Sequence, residues 1–202
     1  MDVGEIDRDL LDKLHPMPGP MSRVWEPREV SIVLGRSCDP EREIQSALCL
    51  QDGIRIHRRS GGGCAIVLAP GMVVFSIAYT KLPYYSAVDH LQYWSKEVQR
   101  SLGQKGVHNL RMQGTSDLCI GNKKVFGSCL YKSKLGFLFQ SVLLVDCELN
   151  LIERYLKLPP RMPSYREGRP HRSFVTSLRE EGCPISCDEV LRHLLNEFVT
   201  FP

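Results

Sequence analysis

The chain is poor in the features that would settle its class at a glance. It has no block of five or six like charges, and 26 Lys+Arg against 23 Asp+Glu leave a net charge of only +3. That balance does not imply a nucleic-acid partner. A continuous apolar run of about 20 residues, the length a bilayer span needs, is also missing. The longest, Cys64 to Ala69 and on to Tyr79, is broken by Pro70 and Gly71, so no membrane span is expected. The N-terminal MDVGEIDRDLLDKL is acidic and amphipathic, where an export signal would be basic and then apolar. A cytoplasmic location follows as the expectation. No C-x2-C occurs, and Cys183 and Cys187 are separated by three residues with no second pair. The eight cysteines are therefore read as reduced thiols, with no structural metal.

What is present is ordinary globular material, 202 residues with 43% hydrophobic and 24% charged. A chain this long can bury roughly 70% of its unfolded surface without staples. Residues 1–23 end in a Pro/Gly cluster, HPMPGPMS, and read as an N-terminal arm or linker; residues 24–202 read as one domain. Apolar runs predict strands at Val30–Leu34, Ile54–Ile56, Cys64–Ala69, Met72–Tyr79, Asp117–Ile120, Lys123–Gly127, Gly136–Val145 and Phe174–Leu178. Pro70-Gly71 is read as the turn of a tight hairpin, and Gly121-Asn122 as a primed two-residue turn. Helices are predicted at Pro40–Leu50 behind Asp39, at Ser86–Leu102 on a Val88/Leu91/Trp94/Val98/Leu102 stripe, at Glu148–Leu158, and after a Ser186/Glu189 capping box. Strands that cluster as hairpins give an α+β class with a mainly antiparallel sheet.

Two segments carry candidate chemistry. In His57-Arg58-Arg59-Ser60-Gly61-Gly62-Gly63, three glycines let main-chain N–H groups approach an anion, and the arginines add charged donors. On composition alone, a flexible connection with two solvated arginines is the alternative reading of these residues. In the hairpin that starts at Ser116 and Asp117, strand alternation sends Lys123 and Lys124 to opposite faces. One faces solvent and the other points inward, where it should face an anion, either Asp117 or a ligand; a surface hairpin with two solvated lysines is the alternative.

Taken in order, these segments resemble the lipoate–protein ligase A family, within the biotin/lipoate ligase and octanoyltransferase superfamily. The family's Arg-Arg-x-Ser/Thr-Gly-Gly motif is occupied by His57, Arg58, Arg59, Ser60, Gly61 and Gly62, with His57 replacing the first arginine. Its Asp-Leu…Gly…Lys…Gly-Ser motif is matched by Asp117, Leu118, Gly121, Lys124, Gly127 and Ser128. Gln140 to Asp146 is similar to the family's His-Gly-Thr strand, with the histidine gone, and Arg172 to Leu178 resembles its Arg-Ser-x-Val-Thr-x-Leu stretch.

The resemblance implies a biotin/lipoyl-ligase-like, class II synthetase-like catalytic domain without a C-terminal accessory domain. It implies activation of lipoate or octanoate as an acyl-adenylate, with ATP and Mg2+ as substrate and lipoate or lipoyl-AMP as ligand. The acyl group then passes to a lysine of a lipoyl carrier domain, of the 2-oxoacid dehydrogenase E2 or glycine-cleavage H-protein type, with a separate accessory chain as a further partner. Lys124 would be the catalytic residue. Arg58, Ser60, Gly61, Gly62, Gly63, Asp117, Gly127, Ser128 and Ser141 would bind acid and nucleotide, and Ile66, Val74 and Val142 would line an acyl tunnel. Two alternatives remain open: an ATP-independent transferase working through a cysteine thioester, with Cys64 or Cys129 as nucleophile, and a non-catalytic relative that binds an acyl ligand or carrier. The basic loop Arg161, Arg166, Arg169, Arg172 reads either as a face for an acidic carrier or as a solvated connection.

Overall fold

The computed structural model describes residues 6–14, 19–80 and 86–198. Its architecture is α+β, with a six-stranded antiparallel sheet and a smaller three-stranded one. In chain order the strands are β1 (Met21–Trp25), β2 (Ser31–Leu34), β3 (Arg55–Arg58), β4 (Ile66–Leu68), β5 (Met72–Tyr79), β6 (Leu110–Gln113), β7 (Asp117–Ile120), β8 (Lys123–Lys132) and β9 (Phe137–Leu144). The large sheet runs β1-β5-β9-β8-β7-β6 and the small one β3-β2-β4. β5, MVVFSIAY, is buried along its whole length, as a near-continuous apolar run should be when both faces are covered.

Two helices cover one face of the large sheet, α4 (Ala87–Gly103) and α7 (Cys187–Phe198). Both start where a capping box places them. Ser86 accepts from the Asp89 amide while the Asp89 carboxylate takes the Ser86 N–H, and Ser186 with Glu189 repeats the pattern. Beneath them Phe75, Trp94, Phe139 and Phe198 form an aromatic core, with Phe75 and Phe198 centroids 4.7 Å apart. On the opposite face a second core joins the small sheet to α5 (Asn150–Tyr155) and α6 (His171–Phe174) through Ile32, Val67, Met72, Ile152 and Phe174. Among the described residues no helix is long and apolar enough to cross a membrane.

Several elements differ from the sequence reading. Pro70-Gly71 does not close a hairpin: β4 pairs with β2, while β5 pairs with β1 and β9. The turn instead carries the chain from one sheet into the other. Gly71, at φ +82°, lies so close to Asp146 that a Cβ would come within 2.2 Å of its carbonyl oxygen. The helix expected over Pro40–Leu50 is split into α2 (Pro40–Glu43) and α3 (Ser46–Gln51) by an extended Ile44, fully buried and bridged to Leu156. Phe174–Leu178 is not a strand; α6 occupies its start, and only Val175 bridges Lys124. β6 was not foreseen.

The segment read as an arm, residues 1–23, contains structure where it is described. A short helix, α1 (Asp9–Asp12), buries Leu10 and Leu11 against Ala78 and Leu138, and β1 begins at Met21. Part of its Pro/Gly cluster lies outside the described residues.

Candidate active site

The two sheets enclose a cavity of about 370 Å3 between the open face of the large sheet and the small sheet. Its depth is apolar: Val74 of β5, Val142 of β9, Val33 of β2, Ile66 and Leu68 of β4, and Ile6. The three expected tunnel residues, Ile66, Val74 and Val142, all line it. Val74 pairs with Val142 and Val142 with Gly127. At the usual strand spacing that row spans about 10 Å.

Lys124 lies at one end of this row, and a β-bulge puts it there. Cys119 pairs with Lys124 but the adjacent Leu118 pairs with Phe126, so Val125 is an extra residue in β8. Val125 and Phe126 both enter the aromatic core, and Lys124 and Gly127 consequently share the cavity face. A Cβ on Gly127 would stand 2.8 Å from Lys124 Nζ, so the ammonium occupies the space a side chain would take. Nζ is held 2.7 Å from Asp117 Oδ1, and Tyr165 Oη donates to Asp117 Oδ2 at 2.7 Å. Burial and the Asp117 carboxylate push the Tyr165 phenol far up, so it stays a donor. Lys123, on the other face, faces Glu181 at 3.7 Å.

One end of the glycine loop forms another wall, since of its three glycines Gly63 lines the cavity and Gly61 and Gly62 do not. Gly63, at φ +92°, lines the cavity, and Gly35 passes so close that a Cβ on it would meet the Gly63 carbonyl oxygen at 2.0 Å. Gly61 abuts the Cys129 thiol, leaving no room for a Cβ. The loop's carbonyls are held by arginine: Arg59 donates from Nε and Nη2 to Gly62 O, from Nη2 to Cys64 O and from Nη1 to Val33 O. The N–H groups of Gly61, Gly62 and Gly63 have no acceptor among the described residues. This is a rigid loop with its donors uncommitted, the arrangement an anion uses.

Not every residue singled out in the sequence reaches the cavity. Arg58 turns away, its Nη1 donating to the carbonyls of Gly35, Arg36 and Cys38; Arg59, buried at 6% exposure, is the arginine on the wall. Ser60 is buried. Ser128 and Ser141 are among the residues lining the cavity, but their hydroxyls turn to the helix side, where Ser128 donates to Ser116 and Ser141 to Phe75 O. The side chains beside them that face the cavity are Gln140 and Val142. The Cys129 thiol is pushed up by burial, which disfavours the thiolate a nucleophile requires. Cys64 Sγ stands 3.8 Å from the Arg161 carbonyl oxygen. Neither thiol is hydrogen-bonded to a histidine among the described residues.

The sequence reading gave no role to Tyr165, which braces Asp117, and no cavity role to Gln140, Arg166 or Glu43, which line the cavity. Glu43 lines the cavity and accepts from the Ala65 N–H at 2.8 Å and Cys38 Sγ at 3.1 Å. Of the basic loop, Arg161 and Arg172 are exposed, Arg169 is half-buried and Arg166 is buried. Half of its charge therefore faces inward rather than toward a partner.

The class is thus an α+β domain whose cavity is apolar along its depth and carries cations at one end. The chain belongs to the lipoyl protein ligase A/B catalytic domain family, whose model matches residues 5–199. It is similar in fold to an archaeal bipartite lipoate protein ligase from Thermoplasma acidophilum, with TM-score 0.73 and 22% identity over 89% of this chain and 69% of that one. It is likewise similar to P. falciparum LipL1, whose structure is a complex with lipoate, at TM-score 0.68 and 24% identity over 89% of this chain and 49% of that one. A lipoate-protein ligase A bound with ATP matches at TM-score 0.71 and 23% identity, over 89% of this chain and 71% of that one.

Proposed function

We propose that this domain activates lipoate or octanoate with Mg-ATP as an acyl-adenylate and passes the acyl group to a lysine of a lipoyl carrier domain. The observation that carries the reading is Lys124 Nζ, pinned 2.7 Å from Asp117 over the bare Gly127, at the end of an apolar row long enough for a medium-length acyl chain. The carboxylate attacks the α-phosphorus and pyrophosphate leaves. The carrier amine then attacks the mixed anhydride and AMP leaves.

Both steps redistribute negative charge among carboxyl and phosphate oxygens, so the demand on the protein is for fixed donors. Lys124 meets it with a charge whose position Asp117 and Tyr165 fix, and the amides of Gly61–Gly63 meet it as dipoles. Arg59 acts by holding that loop. The Mg2+ enters on the phosphates. Neighbours whose structures hold lipoate and ATP support this choice of substrates, and the archaeal neighbour described with its E2 lipoyl domain supports the choice of acceptor. Because that neighbour is a bipartite ligase, we propose that a separate accessory chain completes this domain too.

The test incubates the chain with lipoate, Mg-ATP and a lipoyl domain, reading acceptor mass and pyrophosphate, beside an arm with an octanoyl carrier and no ATP. Acceptor acylation that needs ATP and is lost in Lys124→Ala is expected. Acylation from the carrier alone would replace the adenylate route by thioester transfer, and lipoate binding without turnover would leave a binding module or a domain that needs its accessory chain.

A further inference from the structure

The loop between α5 and α6 holds a buried arginine with no ion-pair partner among the described residues. Arg169 uses four of its five N–H donors, on the carbonyls of Arg166, Ser173, Asn122 and Tyr165. Arg166 differs. It is 3% exposed, its Nε donates to Arg169 O at 2.9 Å, and its guanidinium lies 4.5 Å above the Phe174 ring. Its Nη2 is buried with no hydrogen-bond partner, and the side chain lines the cavity. Among the described residues no carboxylate lies within ion-pair distance of it. The cavity's own carboxylate, Glu43, is turned to Ala65 and Cys38.

Leaving a buried guanidinium donor without a protein partner is expensive, and charged groups are seldom buried so. The backbone bears a further cost to keep it there. A single 3-10 turn, Ser164–Arg166, ends in Glu167 at φ +51°, a left-handed conformation rare for a residue other than glycine, followed by Gly168 at φ +70°. A left-handed turn that holds an unpaired, buried cation on the wall of a cavity is a built site with its counter-charge to come.

We infer that Arg166 is a second oxyanion receptor of the cavity, taking the carboxylate of the acyl acid or the phosphate of its adenylate through the free Nη2. The inference rests on the reading of the site given above, and it assigns the binding of that anion to a cation outside the lysine hairpin and the glycine loop. Stacking on Phe174 and the bond to Arg169 fix the guanidinium plane in advance, so little side-chain freedom is lost on binding.

Calorimetric titration of the parent chain, Arg166→Met and Arg166→Lys with inorganic phosphate, AMP and lipoate tests this, beside thermal melting of each. Methionine fills similar volume and can pack on Phe174 without charge. Arg166→Met should melt at or above the parental temperature and bind at least one probe roughly ten- to a hundredfold more weakly, the worth of a hydrogen bond to a charged group. Arg166→Lys, with charge but no fork, should fall between. A loss confined to phosphate and AMP assigns the phosphate, and a loss confined to lipoate assigns the carboxylate. Parental affinity for all three probes in folded Arg166→Met would overturn the proposal; if that variant does not fold, parental affinity in Arg166→Lys does so. A parent that binds phosphate through Arg166 but neither lipoate nor AMP would keep the anion site and sink the ligase reading instead.

Discussion

Gly127→Ala separates the position of Lys124 from its presence. The new Cβ would stand 2.8 Å from both Cε and Nζ of Lys124. Restoring ordinary contact at about 3.5–4.0 Å moves the ammonium by roughly 0.7–1.2 Å. The obstacle is the end of a flexible side chain rather than backbone, so the fold should absorb it. The pair it disturbs is partly exposed, with Lys124 at 28% and Asp117 at 16%. Such a pair contributes at most about 1 kcal/mol, so the melting temperature should shift by no more than about 4 °C. Activity should respond far more steeply, because a misplacement of about 1 Å at a reacting centre costs on the order of a hundredfold, or about 2.7 kcal/mol in the barrier. The assay is pyrophosphate release and acceptor mass with lipoate, Mg-ATP and a lipoyl domain. In a Lys124→Ala background the same substitution should cost nothing further, since the group it displaces is gone. A folded Gly127→Ala chain that turns over at the parental rate would refute the reasoning, and so would a full additional loss in the double variant.

Two further outcomes follow from the same geometry. Cys64→Ser and Cys129→Ser should each retain ATP-dependent acylation within about threefold, because the adenylate route has no use for a thiolate and burial holds Cys129 protonated; loss of all transfer in either would restore the thioester route. His171 is buried on the cavity wall, and desolvation lowers its pKa from the ordinary 6.5. The folded chain thus binds that proton later than the unfolded one, and stability falls as pH drops below about 6.5. Desolvation shifts His57 in the same direction. Melting temperature should therefore decline from pH 7 to 5, and His171→Gln should flatten part of that slope; an identical slope in the variant would count against a buried neutral imidazole.

How much of the fold could be read in advance depends on whether local chemistry decides the element. The helices α4 and α7 were legible because Ser86 with Asp89 and Ser186 with Glu189 satisfy their own first-turn amides. The β7–β8 hairpin was legible because Gly121-Asn122 supplies the turn, with Gly121 at φ +58°. Pro70-Gly71 misled because alternation reports which face of a strand is buried and not which edge is paired, and both edges of β5 belong to other strands. Ile44 broke a helix its neighbours favour because its burial, beside Leu156, outweighs a turn's worth of propensity. β6, four residues of mixed polarity, carried no pattern to find.

The site was legible as a set of residue types and illegible as a set of faces. Alternation rightly sent Lys123 and Lys124 to opposite sides, and the anion expected for one of them is Asp117. Counting on from Lys124 by twos, however, places Gly127 on the far face, and it lies under the ammonium because Val125 is an extra residue. The same shift in parity explains why Ser128, next along the strand, donates to Ser116 on the helix side rather than to the cavity. Ser141, paired with Ser128, follows it. A likeness of motifs therefore names the residues, but one inserted residue decides which of them meet. Arg58 and Arg59 divide in the same way: adjacent in the motif, one braces a neighbouring loop and the other holds the glycine loop so that its amides stay free.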